Sequence, residues 1–587
     1  MFKRLYRSFG WFFDYYKREY LLSLLAIAVS YVLTLVPPWL VGYLADTLTS
    51  GAQTAESFRR WIILLFFVIV VIYFVDYVWG FYIYKASASI SLVTRQRLMR
   101  KFLRQTPIFY SRHSTGSLLG KATNDVYALE EFAGYGAMVF FDSTLAPLSL
   151  VLIMGIQVSW LLTLACLLPL PVMFLASKEL GRRVYPKYDA QQEAFDAMNE
   201  EVLDNVAGIR AIRAYAIEDI RREDFIKSSE NLYQKRMETV KINVFFPFIG
   251  KVMPALSYLI ALSLGTYVVS NGRLSPGQMV SFIFYLNMMI WPVLAMGDVI
   301  NVSQQGQASM DRIQEIYDYK EEITEAEDAP LYRGGGDIEF KHFDFSYPGT
   351  KEKALEDISF TLKEGQTLGV VGRVGSGKTT LLKQLLAFYP LTGAHLKLAG
   401  RPIQVYNRDS LRNAIGYSPQ QVFLFSRSIR ENILLGSKSA KDEEARLRRA
   451  IEIADFTKDL AQLDHGLDTQ AGEKGIALSG GQKQRISIAR ALMRDPEILI
   501  LDDSLSAVDA TTEEAILQRL RENRKGKTTL ISAHRLSCVM EADLIIVLEE
   551  GRIEQQGTHE ELMAAGGWYR EQFLRQQLER EQRGGYV

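Results

Sequence analysis

In the first half of the chain apolar residues run unbroken for long stretches and do not alternate with polar ones. A bilayer core of ~30 Å needs roughly 20 apolar residues in helical form, and six stretches meet that measure. Residues 21–45 and 61–84 are the first two. The uncharged run 143–177 is too long for one pass, so it is expected to reverse near 157–160. That gives a third span from about 132 and a fourth ending near 177, followed by spans at 244–270 and 274–297. An even count places both chain ends on the same side. Lys85, Arg95, Arg97, Arg100, Lys101 and Arg104 precede span three, and Lys178, Arg182, Arg183, Lys187, Arg210 and Arg213 follow span four. Positive charge is retained in the cytoplasm, so these connections and both termini are predicted inside. The connections, about 85–131 and 178–241, carry apolar residues at helical spacing between charges, which predicts helices projecting beyond the membrane. Residues 1–20 mix basic and aromatic residues without a cleavage site and are expected as an interfacial elbow helix.

From Asp337 onward charge, glycine and short apolar segments predict a soluble α/β domain over 337–587. The acidic, then glycine-rich stretch 318–336 reads as a linker, which leaves 21–317 as the membrane domain. The formal net charge of zero implies no nucleic-acid partner. Cys166 and Cys538, the two cysteines, are too few for a disulfide or metal framework and read as packing residues.

The chemistry lies in the second half. Gly372-Arg373-Val374-Gly375-Ser376-Gly377-Lys378-Thr379 fits G-x-x-x-x-G-K-[ST], follows the apolar run 368–371 and precedes the helical pattern TTLLKQLLAF, whose Thr380 is counted with the nucleotide-binding residues. Glycines there let successive backbone N–H groups converge on phosphates, Lys378 reaches the β- and γ-phosphates of ATP, and Thr379 can ligate Mg²⁺. The strand-like run ILIL ends in Asp502, which places a carboxylate beside that metal, and Asp503 follows at once. Taken singly, the loop could be a turn, Asp502 a strand-end cap and Asp503 a surface residue. In this order they belong to one site.

LSGGQKQR (478–485) is the signature that identifies the chain as resembling ATP-binding cassette (ABC) exporters, and the resemblance covers essentially its whole length. It implies a six-helix transmembrane domain of the type I exporter fold joined to an α/β P-loop ATPase domain, in a bacterial cell membrane. It further implies that Tyr347 stacks on adenine, that Gln420 is the Q-loop glutamine near the metal, and that Asp509 is the D-loop aspartate. His534 is then the switch histidine at the γ-phosphate, while Leu478, Ser479, Gly480, Gly481 and Gln482 cover the ATP of a paired chain. An isolated Tyr or His would read as a packing residue; spacing around the P-loop gives these their roles. By the same resemblance, 115–126 and 200–215 are coupling regions that dock on ATPase domains, and AGEKG (471–475) is a loop that touches them.

One position departs from the family. The residue after the Walker B aspartate is usually glutamate, the general base for the attacking water, and here it is Asp503. Its carboxylate stops about one C–C bond short, and a base out of reach forfeits much of a ~10²–10⁴-fold contribution. Nucleotide binding is expected to survive on Lys378, Thr379 and Asp502. The pattern is that of heterodimeric multidrug exporters with one degenerate site, in which a different half-transporter supplies the glutamate. A homodimer using aspartate is the other arrangement. Membrane lipid and hydrophobic small molecules, cationic ones among them, are the further expected partners. Met and aromatic residues of FIFYLNMMIWPVLAM in span six suit varied apolar ligands or simple packing in lipid, and Pro292 is expected to kink that span. Asp76 and Asp142 lie at membrane depth, where a carboxylate is either a cation site or an interhelical hydrogen-bonding group. A lipid or peptide exporter, and a nucleotide-gated channel, are the alternative functions.

Overall fold

The computed structural model describes residues 2–50, 54–323, 325–391, 393–435, 437, 442–472, 475 and 478–584, side chains at 2–15, 580 and 582–584 excepted. The chain divides into two compact units, Met1–Arg104 with Ser114–Tyr319, and Gln105–His113 with Lys320–Val587.

The described part of the first unit is helical. Hydrocarbon offers no partner to a backbone N–H or C=O, so a single segment must satisfy its own. Its helices are α1 (Phe2–Thr34), α2 (Val36–Thr49) and α3 (Ala55–Arg104), and after α4 (Pro107–Arg112), which belongs to the second unit, α5 (Thr115–Gly120) and α6 (Val126–Glu131). They continue with α7 (Ala137–Gln157), α8 (Trp160–Leu167), α9 (Pro169–Ala207), α10 (Ile209–Tyr215), α11 (Glu218–Asn243), α12 (Phe245–Ser270), α13 (Pro276–Met288) and α14 (Ile290–Asp318). Among the described residues six helical stretches are long and apolar enough to cross a membrane, from Tyr16–Thr49 to Pro276–Asp318. In the most apolar part of α3 no residue is buried, and Phe66, Phe67 and Tyr73 stand exposed, a surface that requires lipid.

The breaks have local causes. The reversal expected at 157–160 falls between α7 and α8, where Ser159 caps α8 by accepting from the Leu162 N–H. Proline lacks an N–H and crowds the carbonyl four residues back. Pro37 and Pro38 accordingly follow the end of α1, and α13 ends at Met288, four residues before Pro292. Pro107 likewise opens α4 after the extended Thr106, which ends the long α3. Thr106 Oγ1 donates to Glu322 Oε2 at 2.7 Å, and Phe109 is fully buried. Residues 105–113 thus group with the second unit. Residues 115–126 stay with the first, where the Arg312 guanidinium donates to the buried Asp125 and Lys121 pairs with Glu315 at 2.7 Å.

The tightest helix approach joins α2 to α13. A Cβ on Gly277 would lie 1.9 Å from the Gly42 carbonyl oxygen, and one on Gly42 would lie 1.9 Å from Ser281 Oγ. Beside them the Asp46 carboxylate accepts from Ser275 Oγ and from the Gly277 N–H, capping α13 from a neighbouring helix.

The second unit holds two sheets built from β1 (Ile338–Phe345), β2 (Leu355–Leu362), β3 (Thr367–Gly372), β4 (Leu396–Leu398), β5 (Arg401–Pro402), β6 (Ile415–Ser418), β7 (Ile498–Asp502), β8 (Thr528–Ser532), β9 (Leu544–Glu549) and β10 (Arg552–Gly557). The smaller sheet is antiparallel in the order β2-β1-β4-β5. The larger runs β10-β9-β3-β8-β7-β6, parallel from β9 to β6, with β10 antiparallel at its edge. Every residue of β7 and β8 is buried, as a parallel sheet covered on both faces requires. Ligand crevices in such sheets open at the carboxyl ends of the strands, where β3 and β7 deliver the P-loop and Asp502.

Gly277→Ala is expected to destabilise the membrane domain by about 1–3 kcal/mol through overpacking, read as a lower melting temperature of the purified protein. An unchanged melting temperature would show that α2 and α13 can move apart without loss.

Candidate nucleotide-binding site

The loop after β3 turns through Gly372, Gly375 and Gly377, all with φ between +84° and +148°. A Cβ on Gly372 would lie 2.1 Å from the Leu548 carbonyl, so only glycine fits. The helix Lys378–Gln384 then starts directly from the loop, aiming its free N–H groups at the cradle. Lys378 is buried and donates to the carbonyls of Gly372 (2.9 Å) and Arg373 (2.8 Å). Burial pushes its ammonium below the usual lysine range, against the pull of Asp503 and Asp502. Ser376 Oγ is buried without a hydrogen-bond partner. An orphaned hydroxyl, a buried ammonium and converging N–H groups fit a phosphate chain. Arg373 lies 3.6 Å from Glu549, and Val374 is exposed. Tyr347 hydrogen-bonds through its hydroxyl with Thr380 Oγ1 at 2.9 Å and packs edge-on against Phe345 and Tyr389, which brings the expected adenine residue to the loop.

Asp502 sits fully buried at the end of β7. Thr379 Oγ1 and Ser532 Oγ each donate to its Oδ1 at 2.8 Å, and Tyr417 OH donates to Oδ2 at 3.3 Å. Strand register explains the set: Asp502 pairs with Ser532 on β8, and Tyr417 with Ile500 from β6. Burial, and then Asp502, raises the Tyr417 phenol well above its ordinary range, so it remains a donor. Asp503 has φ +48°, its N–H donating to both Oγ (3.0 Å) and O (3.1 Å) of Ser532. Gln420 Nε2 donates to Asp503 Oδ2 at 3.1 Å, and His534 Nε2 lies 4.0 Å from the same oxygen. The loop, Asp502, Asp503, Gln420 and His534 therefore form one constellation. It can hold a polyphosphate, a small divalent ion between Thr379 and Asp502, and a water near Asp503.

The signature forms a second cluster. Ser479 and Gln482 make a capping box at the head of the helix Gly480–Leu492, with Leu478 buried behind them. Gln482 Nε2 and Arg485 both donate to Asp459 Oδ1. A Cβ on Gly481 would lie 3.0 Å from the Ala507 carbonyl, so this end of the helix packs on the loop after Asp503. Asp509 caps the helix Ala510–Asn523, accepting from Thr512 N and Thr511 Oγ1; those bonds hold its carboxyl well below the usual range. Among the described residues no hydrogen bond or ion pair joins 478–482 to 372–380. Glu473 and Lys474 of AGEKG lie outside the described residues.

Sequence reasoning missed four residues. Tyr417 and Ser532 clasp Asp502, and Gln484 and Ser506 link the clusters: Gln484 Nε2 donates to Ser506 Oγ (3.1 Å), which donates to the Asp503 carbonyl (2.9 Å). A lone Ser, Tyr or Gln carries no pattern. Only the position of Ser532 at the end of a buried strand beside Asp502 could have marked it.

A P-loop nucleotide-binding domain carried with a six-span helical membrane domain is the class these parts define. A family model described as the ABC transporter transmembrane region matches residues 20–293, and one described as ABC transporter matches 355–506. The chain is 45% identical over 99% of its length, and 99% of the relative's, to a Bacillus subtilis protein described as the probable multidrug resistance ABC transporter ATP-binding/permease protein YheI. It is 37% identical to Escherichia coli multidrug resistance-like ATP-binding protein MdlA, over 98% of this chain and 97% of that one. A solved bacterial Atm1-family ABC exporter with ATP bound shares the fold at a TM-score of 0.79 and 23% identity, covering 95% of this chain and 99% of that one. The chain belongs to the ABC transporters. It has the type I exporter fold and is a multi-pass, ATP-driven membrane transporter.

Ser532→Ala removes one donor from the buried Asp502. Loss of about 1–3 kcal/mol is expected, read as a lower melting temperature, with Ser532→Thr losing less because it keeps the hydroxyl. Equal melting of Ser532→Ala and the unaltered protein would mean that the bond adds nothing.

Proposed function

We propose that this chain is one half of a multidrug efflux pump of the bacterial cell membrane, with both termini and the ATPase domain in the cytoplasm, and that it pairs with a different half-transporter that supplies a catalytic glutamate. Asp503 carries this reading. Its backbone is tied to Ser532, and Gln420 holds its carboxylate, so the short side chain cannot extend further. Lys378, Ser376 and the P-loop N–H groups bind the phosphates of ATP, and Tyr347 stacks on adenine. Thr379 Oγ1, Asp502 and the amide oxygen of Gln420 would hold Mg²⁺, which neutralises phosphate charge when bound. His534 contacts the γ-phosphate, and Asp503 orients water weakly.

The signature supports a partnership. Ser479 and Gly480 are exposed, with no bond to this chain's own P-loop among the described residues, so they and Gly481 are available to cover a nucleotide on another chain. Leu203 and Val206 near the end of α9, and Ile209 and Tyr215 at the two ends of α10, are exposed apolar groups fit for such a chain to cover. The multidrug role rests on the two relatives at 45% and 37% identity, both described as multidrug resistance proteins.

The test is steady-state ATPase activity of the purified chain in lipid, unaltered and as Asp503→Glu, with oligomeric state recorded. The unaltered homodimer is expected to turn over about 10²-fold or more slowly than Asp503→Glu. Robust turnover by the unaltered homodimer would remove the need for a different partner.

A further inference from the structure

Asp76 on α3 and Asp142 on α7 are 66 residues apart in sequence, yet both line one cavity of about 270 Å³ within the membrane domain. Consecutive residues of α1 bring them together: Ser30 Oγ donates to Asp76, and Tyr31 OH donates to Asp142. A tryptophan completes each pair. Trp79 Nε1 donates to Asp76 Oδ1 at 2.9 Å, and Trp291 Nε1, from α14, donates to Asp142 Oδ2 at 2.9 Å.

All four donors are neutral. Among the described residues lining the cavity none is Lys, Arg or His, and the rest of the wall is largely apolar, with Met138, Met288 and Leu150. Two carboxylates in a low-dielectric wall, fixed by neutral donors and unaccompanied by a positive side chain, place uncompensated negative charge beside aromatic rings. A compact hydrated metal ion gains little there, because indole and thioether groups are poor replacements for its water. A flat or quaternary organic cation gains from carboxylate attraction, from cation–π contact and from the apolar wall together. Met and aromatic side chains can repack around cations of different outline.

We propose that this cavity is a charge-selective binding site for amphipathic organic monocations, with Asp76 and Asp142 as paired recognition groups and Ser30, Tyr31, Trp79 and Trp291 holding them in place. The site gives the efflux pump proposed above its substrate class and rests on that reading for its physiological use, though not for binding itself. The hydrogen bonds between helices and the recognition of a cation are then one arrangement: the neutral donors aim the carboxylates and leave their charge to be met by the ligand.

The experiment uses the full chain in lipid nanodiscs without nucleotide. Quenching of tryptophan fluorescence reports the binding of ethidium, a flat aromatic monocation, and of phenanthridine, its uncharged parent ring. Asp76→Asn and Asp142→Asn are each expected to weaken ethidium about tenfold or more, and Asp142→Glu to recover most of that loss. Phenanthridine affinity should change less than about twofold, which also certifies that the variants are folded. Equal weakening of both ligands, or ethidium binding unchanged in the double asparagine variant, would overturn the proposal. ATP-driven ethidium uptake into inside-out vesicles separates the two readings. Charge-selective binding without such uptake supports the site and sinks the efflux role; uptake indifferent to both aspartates sinks the site and keeps the pump.

Discussion

A carboxylate taken out of water must find hydrogen-bond donors or lose its charge. Asp502 meets that demand in a way that organises the ATPase unit. Its donors come from three different places: the helix after the P-loop and the two strands that flank β7, β8 on one side and β6 on the other. Each bond locks one element in register against β7. Because Asp503 follows directly and is bonded through its backbone to Ser532, the position of its carboxylate is set by the same clasp. From there Ser506 and Gln484 carry the constraint to the signature helix. One buried carboxylate thus fixes the relative placement of the P-loop, Asp503 and the signature helix.

The membrane unit solves the same problem with other means. Its backbone groups are satisfied within helices, and Asp76 and Asp142 take hydroxyls from α1 and indoles from α14 and, for Trp79, from the helix of Asp76 itself, instead of ion pairs. Asp46 goes further and satisfies a neighbouring helix's terminal N–H. Away from the membrane stretch the rule changes: Asp125 takes the guanidinium of Arg312, as expected where charges can be hydrated on one side.

What could be read from the sequence follows from where each signal resides. Span lengths and the reversal between α7 and α8 are set by the thickness of hydrocarbon and by Ser159, so apolar run length and a cap residue expose them. The P-loop and Asp502 are legible because glycines at left-handed φ and a carboxylate ending a buried strand leave local marks. Proline marked the break in span six at Pro292, and Pro107 held the same information about α4, but helical periodicity across 85–131 masked it. The clasp of Tyr417 and Ser532, and the convergence of Asp76 with Asp142, were hidden for a different reason: both depend on register or helix packing, which brings distant residues together without any spacing in the chain.

The cap that Asp46 places on α13 ties the first apolar segment to the last at a point where glycine lets the two backbones touch. Drawing them apart would strip a carboxylate of two donors and bare a helix end at once. Such groups tolerate separation only if water arrives as the helices leave. Parting α2 from α13 at this point therefore carries a cost set by one carboxylate and one helix end together, which water must repay at both groups.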